Sequence, residues 1–267
     1  MGQYVAQILS PSLEKMLVPS LEDQKWWQQH LTEDEFSQAP HALKAGLKQL
    51  GEKGKQQYRA ENRKYSTEAA AYKNDILKKN MDTFRKYGKV AHIGGGTGLG
   101  LGYAPFVWKS GGAIEIWDLC QAGLNNSKRR LIKICRRLQQ RNYVNCGWSL
   151  HIGDIGTIFT HPQGIDVNAT VAAIAEKVEQ HRSPDLFVKD CRGMGTFISN
   201  PEKFLIFAHP FGQDNPGYQW NTSHPYEREA FVKELSDGAQ APVEILDERP
   251  HMYFDQHYTF FTVRRVQ

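Results

Sequence analysis

The chain lacks the features that would place it in a membrane or outside the cell. No run approaches the roughly eighteen consecutive apolar residues that a membrane-spanning helix needs. The first 19 residues lack the basic start and long apolar block of a secretory signal. The four cysteines include no C-x-x-C pair. These absences predict a reduced, cytoplasmic, globular protein with no membrane partner.

Fingerprints for several common ligands are also missing. The dinucleotide pattern G-x-G-x-x-G/A fails at its last position, which is Leu99, Leu101, Tyr103 or Pro105 for the successive G-x-G units. The phosphate-binding pattern G-x-x-x-x-G-K-[ST] fails because no lysine follows Gly100. The ten histidines contain no H-E-x-x-H arrangement. NAD, FAD and nucleoside triphosphates are therefore disfavoured, and we assign no metal.

The net charge does not identify a partner, whereas the length of the chain limits the number of domains. Lys and Arg number 33 and Asp and Glu 29, for a net charge of +4. This balance is compatible with a small anionic ligand or with RNA and demands neither. A chain of 267 residues has room for one α/β domain with an added segment and can bury a sizeable core.

The character of the chain changes near residue 88. Residues 13–87 are polar, rich in lysine and helix-forming, with no recognisable strand. From residue 89 onward, segments typical of strands and helices alternate, which predicts a βαβα arrangement with a largely parallel sheet. We therefore divide the chain into a helical N-terminal cap over residues 1–87 and an α/β domain over residues 88–267.

The elements of the α/β domain can be assigned provisionally. The strand candidates are KVAHI, GAIEIWDL, WSLHIGDI, PDLFVKD and KFLIFAHPF. The helix candidates are NNSKRRLIKICRRLQQ, NATVAAIAEKVEQH and YEREAFVKELSDGA. The last two strand candidates, VEILDER and HYTFFTVRRV, are joined by a short connection, which predicts a terminal antiparallel hairpin.

A glycine-rich segment follows the first predicted strand. The segment GGGTGLGLG places six glycines in nine positions, from Gly94 to Gly102. In open α/β sheets, ligands bind at the carboxyl ends of strands, and glycines there let the backbone come close to the ligand. The segment indicates a cofactor site.

Three features of the domain together resemble the class I S-adenosylmethionine (SAM) dependent methyltransferases. They are IGGGTG, residues 93–98; Asp118, at the end of the second predicted strand; and the pair Gly153 and Asp154, which closes the third. The resemblance implies an α/β fold with a Rossmann-like, seven-stranded, mostly parallel sheet and a terminal antiparallel hairpin, preceded here by the helical cap. It covers residues 89–267 and implies SAM as the cofactor.

The resemblance also implies site roles. Gly94, Gly96 and Gly98 would pass under the methionine part of SAM, Asp118 would accept hydrogen bonds from the ribose hydroxyls, and Asp154 would meet the adenine amino group. His92 stands where the family usually has Asp or Glu, and a neutral histidine can still accept one hydrogen bond.

Methyl transfer asks the protein for alignment, exclusion of water and sometimes a base. Groups expected at the sheet edge that holds the glycines are His209 and Asp190, as base and acceptor-binding carboxylate, and His257 in the hairpin. We expect acceptor contacts from aromatic or amphipathic side chains: Trp26, Tyr218, Trp220, His251 and Tyr253.

These residues favour a SAM-dependent methyltransferase acting on an oxygen or nitrogen atom of a small molecule. RNA methylation remains an alternative, since KRRLIKICRRLQQR carries seven basic residues in fourteen. Its apolar residues recur at helical spacing, which favours a surface helix. A catalytically idle SAM-binding or interaction subunit is the third hypothesis, and a homodimer is compatible with all three.

Overall fold

The structure is a computed structural model that describes residues 51–94, 99–118, 121–140, 145–176, 184–211, 226–253 and 256–266. The helices are α1 (Gly51–Lys79), α2 (Met81–Tyr87), α3 (Ala104–Lys109), α4 (Gln121–Gln139), α5 (Ile155–Ile158), α6 (Pro184–Phe197) and α7 (Arg228–Ala239). A 3₁₀ helix, Leu99–Tyr103, precedes α3. The strands are β1 (Lys89–Ile93), β2 (Ala113–Asp118), β3 (Gly147–Ile152), β4 (Thr170–Glu176), β5 (Phe204–His209), β6 (Val243–Tyr253) and β7 (Gln256–Arg265).

The seven strands form one sheet in the order β3-β2-β1-β4-β5-β7-β6. Strands β1 to β5 pair in parallel, whereas β7 pairs antiparallel with both β5 and β6. The predicted fold class is confirmed, including the terminal hairpin. Because the parallel strands run in one direction, their carboxyl ends meet at a single edge of the sheet, where ligands bind in such folds.

Alternation along the strands divides the apolar side chains between two faces of the sheet. In β1, Val90 contributes to one core and Ala91 and Ile93 to the other. The first core takes side chains from α1 to α4, and the second from α5 to α7. The sheet is therefore covered by helices on both faces, as a parallel sheet requires.

Helix α1 lies on the first face. Its buried residues Tyr65, Ala69, Tyr72 and Ile76 recur every three or four positions and form one apolar stripe. The Tyr72 hydroxyl lies 2.8 Å from the Thr262 hydroxyl of β7. This helix therefore packs on the hairpin that ends the chain. Residues 1–50, the remainder of the predicted cap, lie outside the described residues.

Two element assignments from the sequence are wrong. The segment NATVAAIAEKVEQH contains strand β4, Thr170–Glu176, and not a helix. The segment PDLFVKD begins helix α6, Pro184–Phe197, and is not a strand. All seven residues of β4 are buried, so its side chains do not alternate between polar and apolar in the way that marks a half-exposed strand.

Helices α6 and α7 approach each other closely on the second face. A Cβ on Gly195 of α6 would lie 2.4 Å from the Leu235 carbonyl oxygen, and one on Gly238 of α7 would lie 2.2 Å from the Arg192 carbonyl oxygen. Glycine at these positions lets the two backbones pack closely. Among the described residues, no helix is long and apolar enough to cross a membrane.

Candidate active site

The ends of β1 and β2 place the predicted cofactor residues next to each other. Gly94 follows β1 with φ of 65°, a left-handed conformation that favours glycine. Its N–H donates to the Trp117 carbonyl oxygen of β2 at 2.9 Å. Asp118 is the last residue of β2, and its carbonyl oxygen accepts from the Gly153 N–H at 3.1 Å. The first three strands therefore deliver their predicted site residues to one edge.

Residues Gly95 to Gly98 are not among the described residues, so the predictions for Gly96 and Gly98 stay predictions. Asp154 follows β3 as the residue before helix α5. Its carboxylate is partly exposed and lies 4.0 Å from the Lys189 ammonium. The structure thus brings His92, Gly94 and Asp118 to adjacent strand ends and places Asp154 after the next strand.

His92 is almost completely buried, with 2% of its surface exposed. Its Nδ1 atom lies 3.2 Å from the Tyr103 hydroxyl, and its Nε2 atom lies 3.6 Å from a carboxylate oxygen of Glu176. Desolvation, followed by the nearby Lys73 ammonium, lowers the pKa of His92 to about 3. The imidazole is therefore neutral at physiological pH and does not bring a charge to this position.

Glu176 lies beside the predicted cofactor residue His92, and the sequence analysis did not identify it. It is the last residue of β4, a neighbour of β1 in the sheet. One carboxylate oxygen lies 2.6 Å from the Lys73 ammonium, and the other accepts from the Tyr65 hydroxyl at 3.3 Å. The run TVAAIA, short, apolar and partly β-branched, is the signal that would have indicated a buried strand ending in an acid.

Lys73 of α1 is the second residue that was missed. It is fully buried, and its ammonium also donates to the Gly100 carbonyl oxygen at 2.8 Å. Burial lowers the pKa of Lys73, and the adjacent Glu176 carboxylate opposes that shift. No sequence pattern marks this lysine among the many in residues 51–79, because its role depends on contacts more than twenty residues away.

The predicted catalytic residues lie in different environments. His209 ends β5 and is fully buried, with its ring 4.5 Å from that of Phe231 and 5.2 Å from that of Phe211. His257 is exposed near the start of β7. In that strand Thr259 pairs with His209, which places the two histidines near the same end of the sheet. Their chemical roles stay predictions.

The predicted location of Asp190 is wrong. The sequence analysis placed it at the end of a strand, whereas it lies inside helix α6 and is fully buried. The reasoning from a strand end therefore does not apply to it. The error follows directly from assigning PDLFVKD to a strand.

Of the residues expected to contact the acceptor, His251 is the one that the structure describes fully. It is buried in β6, its ring centroid lies 5.4 Å from those of Tyr65 and Phe260, and its Nδ1 contacts the Glu68 carboxylate. Tyr253 ends β6, and its side chain lies outside the described set. Trp26, Tyr218 and Trp220 also lie outside the described residues.

Solved structures share this fold at low sequence identity. Magnesium protoporphyrin IX methyltransferase from Synechocystis PCC 6803 with bound S-adenosylhomocysteine (SAH) matches with a TM-score of 0.55 at 10% identity, covering 81% of this chain and 96% of that one. The same enzyme with bound SAM matches at 0.53 and 9% identity, covering 99% and 96%. The methyltransferase domain of bacterial CtHen1-CN matches at 0.50 and 16% identity, covering 74% and 100%.

No protein-family model and no curated protein matches the sequence. The strand order and these solved structures show that the chain has the class I SAM-dependent methyltransferase fold.

Proposed function

We propose that this chain is a SAM-dependent methyltransferase that modifies an oxygen or nitrogen atom of a small molecule. One observation carries the proposal: Gly94, in a left-handed conformation, and Asp118 end adjacent strands that a 2.9 Å hydrogen bond joins. A backbone without a Cβ beside a carboxylate suits a ligand that carries hydroxyl groups.

The described residues fit SAM at several points. Gly100 lies where a Cβ would be 1.8 Å from a Glu176 oxygen, so the backbone after the glycine loop approaches the end of β4 closely. Asp118 would accept hydrogen bonds from the ribose hydroxyls, each worth roughly 1.5 to 3 kcal/mol for a charged acceptor. Asp154 would meet the adenine amino group, and Gly94 would line the methionine part together with Gly96 and Gly98, which lie outside the described residues. When bound, SAM supplies an electrophilic methyl group on its sulfonium.

At the end of β5, His209 packs among aromatic rings of the second core. His209 lies among Phe211, Phe231 and Tyr226, and its ring centroid is 6.5 Å from that of Tyr226. Buried aromatic surroundings suit a compact, partly apolar acceptor better than a polymer backbone. In this proposal His209 or His257 accepts the proton of an acceptor hydroxyl or amine.

RNA methylation is the second candidate, and one surface favours it. Helix α4 presents Arg129, Lys133, Arg136 and Arg137 around a cavity of about 560 Å³. These side chains are exposed, and the helix itself contains no acidic residue. A basic surface of this kind suits phosphate contacts.

Methyl transfer from isotopically labelled SAM to a panel of small oxygen and nitrogen acceptors, with total RNA in parallel, distinguishes these candidates. The proposal expects label in a small acceptor. Label in RNA that falls when Arg136 and Arg137 become alanine supports the second candidate. Binding of SAH with no labelled product supports the idle subunit instead.

A further inference from the structure

A buried ion pair links helix α1 to the backbone that follows the glycine loop. The Lys73 ammonium lies 2.6 Å from the Glu176 carboxylate and 2.8 Å from the Gly100 carbonyl oxygen. Gly100 belongs to the 3₁₀ helix that begins directly after the loop. Three parts of the fold thus meet at one ammonium group: α1, the end of β4 and the exit of the loop.

Stability alone does not explain this pair. Removing two charges from water is costly, and apolar side chains of similar volume often replace such pairs at no loss of stability. Both side chains are buried, with 0% of Lys73 and 7% of Glu176 exposed. What the ammonium adds is a directed hydrogen bond to a backbone carbonyl and a fixed position for a carboxylate.

The backbone at Gly100 lies directly against the Lys73–Glu176 ion pair. A Cβ at this position would lie 1.8 Å from a Glu176 oxygen and 2.8 Å from the Lys73 nitrogen. The loop exit therefore contacts the pair directly. Displacing either side chain changes the surroundings of the Gly100 carbonyl group.

The pair also lies beside the one cofactor position that departs from the family pattern. The Glu176 oxygen that contacts Lys73 is 3.6 Å from Nε2 of His92. The carboxylate missing from the end of β1 is thus present next to it, on β4. Lys73 and the Tyr65 hydroxyl, both from α1, hold the two oxygens of that carboxylate.

We propose that Lys73 is a positioning residue of the cofactor site, which holds Glu176 and the exit of the glycine loop in their binding arrangement from helix α1. The contacts of Lys73 come from the structure alone. Their effect on SAM binding rests on the proposed function. It makes α1 part of the cofactor-binding unit.

The first test measures amide hydrogen exchange of residues 99–103 in the ligand-free protein. Lys73→Met should speed exchange in this segment at least tenfold, because the Gly100 carbonyl loses its donor. Lys79→Met is the matched control, since Lys79 lies on the same helix with 56% of its side chain exposed and pairs with Asp247. Unchanged exchange in Lys73→Met, with the fold intact by circular dichroism, overturns the inference.

The second test measures the dissociation constant of SAH by calorimetry at pH 7 for the wild type, Lys73→Met and Lys73→Arg. Lys73→Met should weaken binding at least tenfold, because the Glu176 carboxylate and the Gly100 carbonyl oxygen lose the ammonium group that contacts both. Lys73→Arg keeps a charged donor and should bind SAH more tightly than Lys73→Met. Equal affinities of the two variants count against the inference.

Glu176→Gln supplies a second variant if Lys73→Met fails to fold, because it keeps the shape of the side chain and removes its charge. It leaves the buried Lys73 ammonium without its counter-charge, so it should also speed exchange in residues 99–103 and weaken SAH binding. Wild-type behaviour in both overturns the inference. Failure of the wild-type chain to bind SAH overturns the proposed function, whereas the exchange measurement on the ligand-free protein still decides the role of Lys73.

Discussion

His92 is a buried, neutral histidine at a position where the resemblance to the methyltransferases implies an acid. Burial and the Lys73 ammonium keep its imidazole neutral, with a pKa of about 3. Neutrality lets the ring accept or donate one hydrogen bond to the Tyr103 hydroxyl, 3.2 Å away, without introducing a second charge beside the Lys73–Glu176 pair. The carboxylate beside His92 is thus that of Glu176 on β4, and His92 is its neutral neighbour.

The low pKa of His92 makes stability depend on pH. Between about pH 3 and the ordinary value of 6.5, the unfolded chain binds a proton at this residue that the folded chain does not. Stability is therefore lost as the pH falls below 6.5. We expect the free energy of unfolding of the wild type to decrease by about 2 kcal/mol more between pH 7 and pH 5 than that of His92→Gln. Urea denaturation at both pH values checks this, and equal decreases would show that His92 is not the group responsible.

Asp118 gives the second prediction at the residue scale. Asp118→Ala should weaken SAH binding tenfold or more, because one charge-assisted interaction is lost at 1.4 kcal/mol per decade. Titration calorimetry measures the change, with Asp82→Ala as a control for removing an exposed carboxylate. An unchanged dissociation constant would remove Asp118 from the cofactor site.

Local sequence patterns could predict some of the site residues and not others. Gly94 follows and Asp118 ends a strand that stands out in the sequence, so their place at the sheet edge follows from the βαβ pattern. Lys73 and Glu176 come together across 103 positions of the chain, and nothing in either segment indicates the other. Their contact is a property of packing.

At the scale of elements, burial explains the two wrong assignments. Strand β4 lies between β1 and β5 and is covered on both faces, so its residues before Glu176 are apolar or small and resemble a helix segment in sequence. Helix α6 begins with PDLFVKD, whose valine and phenylalanine favour a strand locally. Its helical pattern emerges only over all fourteen residues.

The close contact between α6 and α7 gives a prediction with an internal control. Gly195→Ala should lower the free energy of unfolding by about 1 to 3 kcal/mol, because the new Cβ would lie 2.4 Å from the backbone oxygen of Leu235. Gly193→Ala, on the same helix, meets no atom closer than 3.7 Å and should raise it by about 0.5 to 1 kcal/mol. Thermal and urea denaturation of both variants test the pair, and equal effects would contradict the packing described.

At the scale of the molecule, the sequence predicted the fold class correctly because three features appeared in order: a glycine loop after the first strand, an acid at the end of the second and a Gly-Asp pair after the third. A terminal hairpin followed them. These features do not predict which strand pairs with β5. In the structure β7 lies between β5 and β6, and that position is set by pairing between strands distant in the sequence. Placing β7 there brings the hairpin, with His251 and His257, to the sheet edge and lets α1 pack on the same surface.

Whether the edge of the sheet that carries Gly94 and Asp118 binds SAM is the central question for the whole molecule, and isothermal titration with SAH answers it most directly. NAD, titrated in parallel, controls for general affinity of a Rossmann-like sheet for adenine nucleotides. The arrangement of Gly94, Asp118, Glu176 and Lys73 predicts micromolar binding of SAH and no heat from NAD. No heat from SAH, or tighter binding of NAD, would contradict a SAM site at this edge of the sheet.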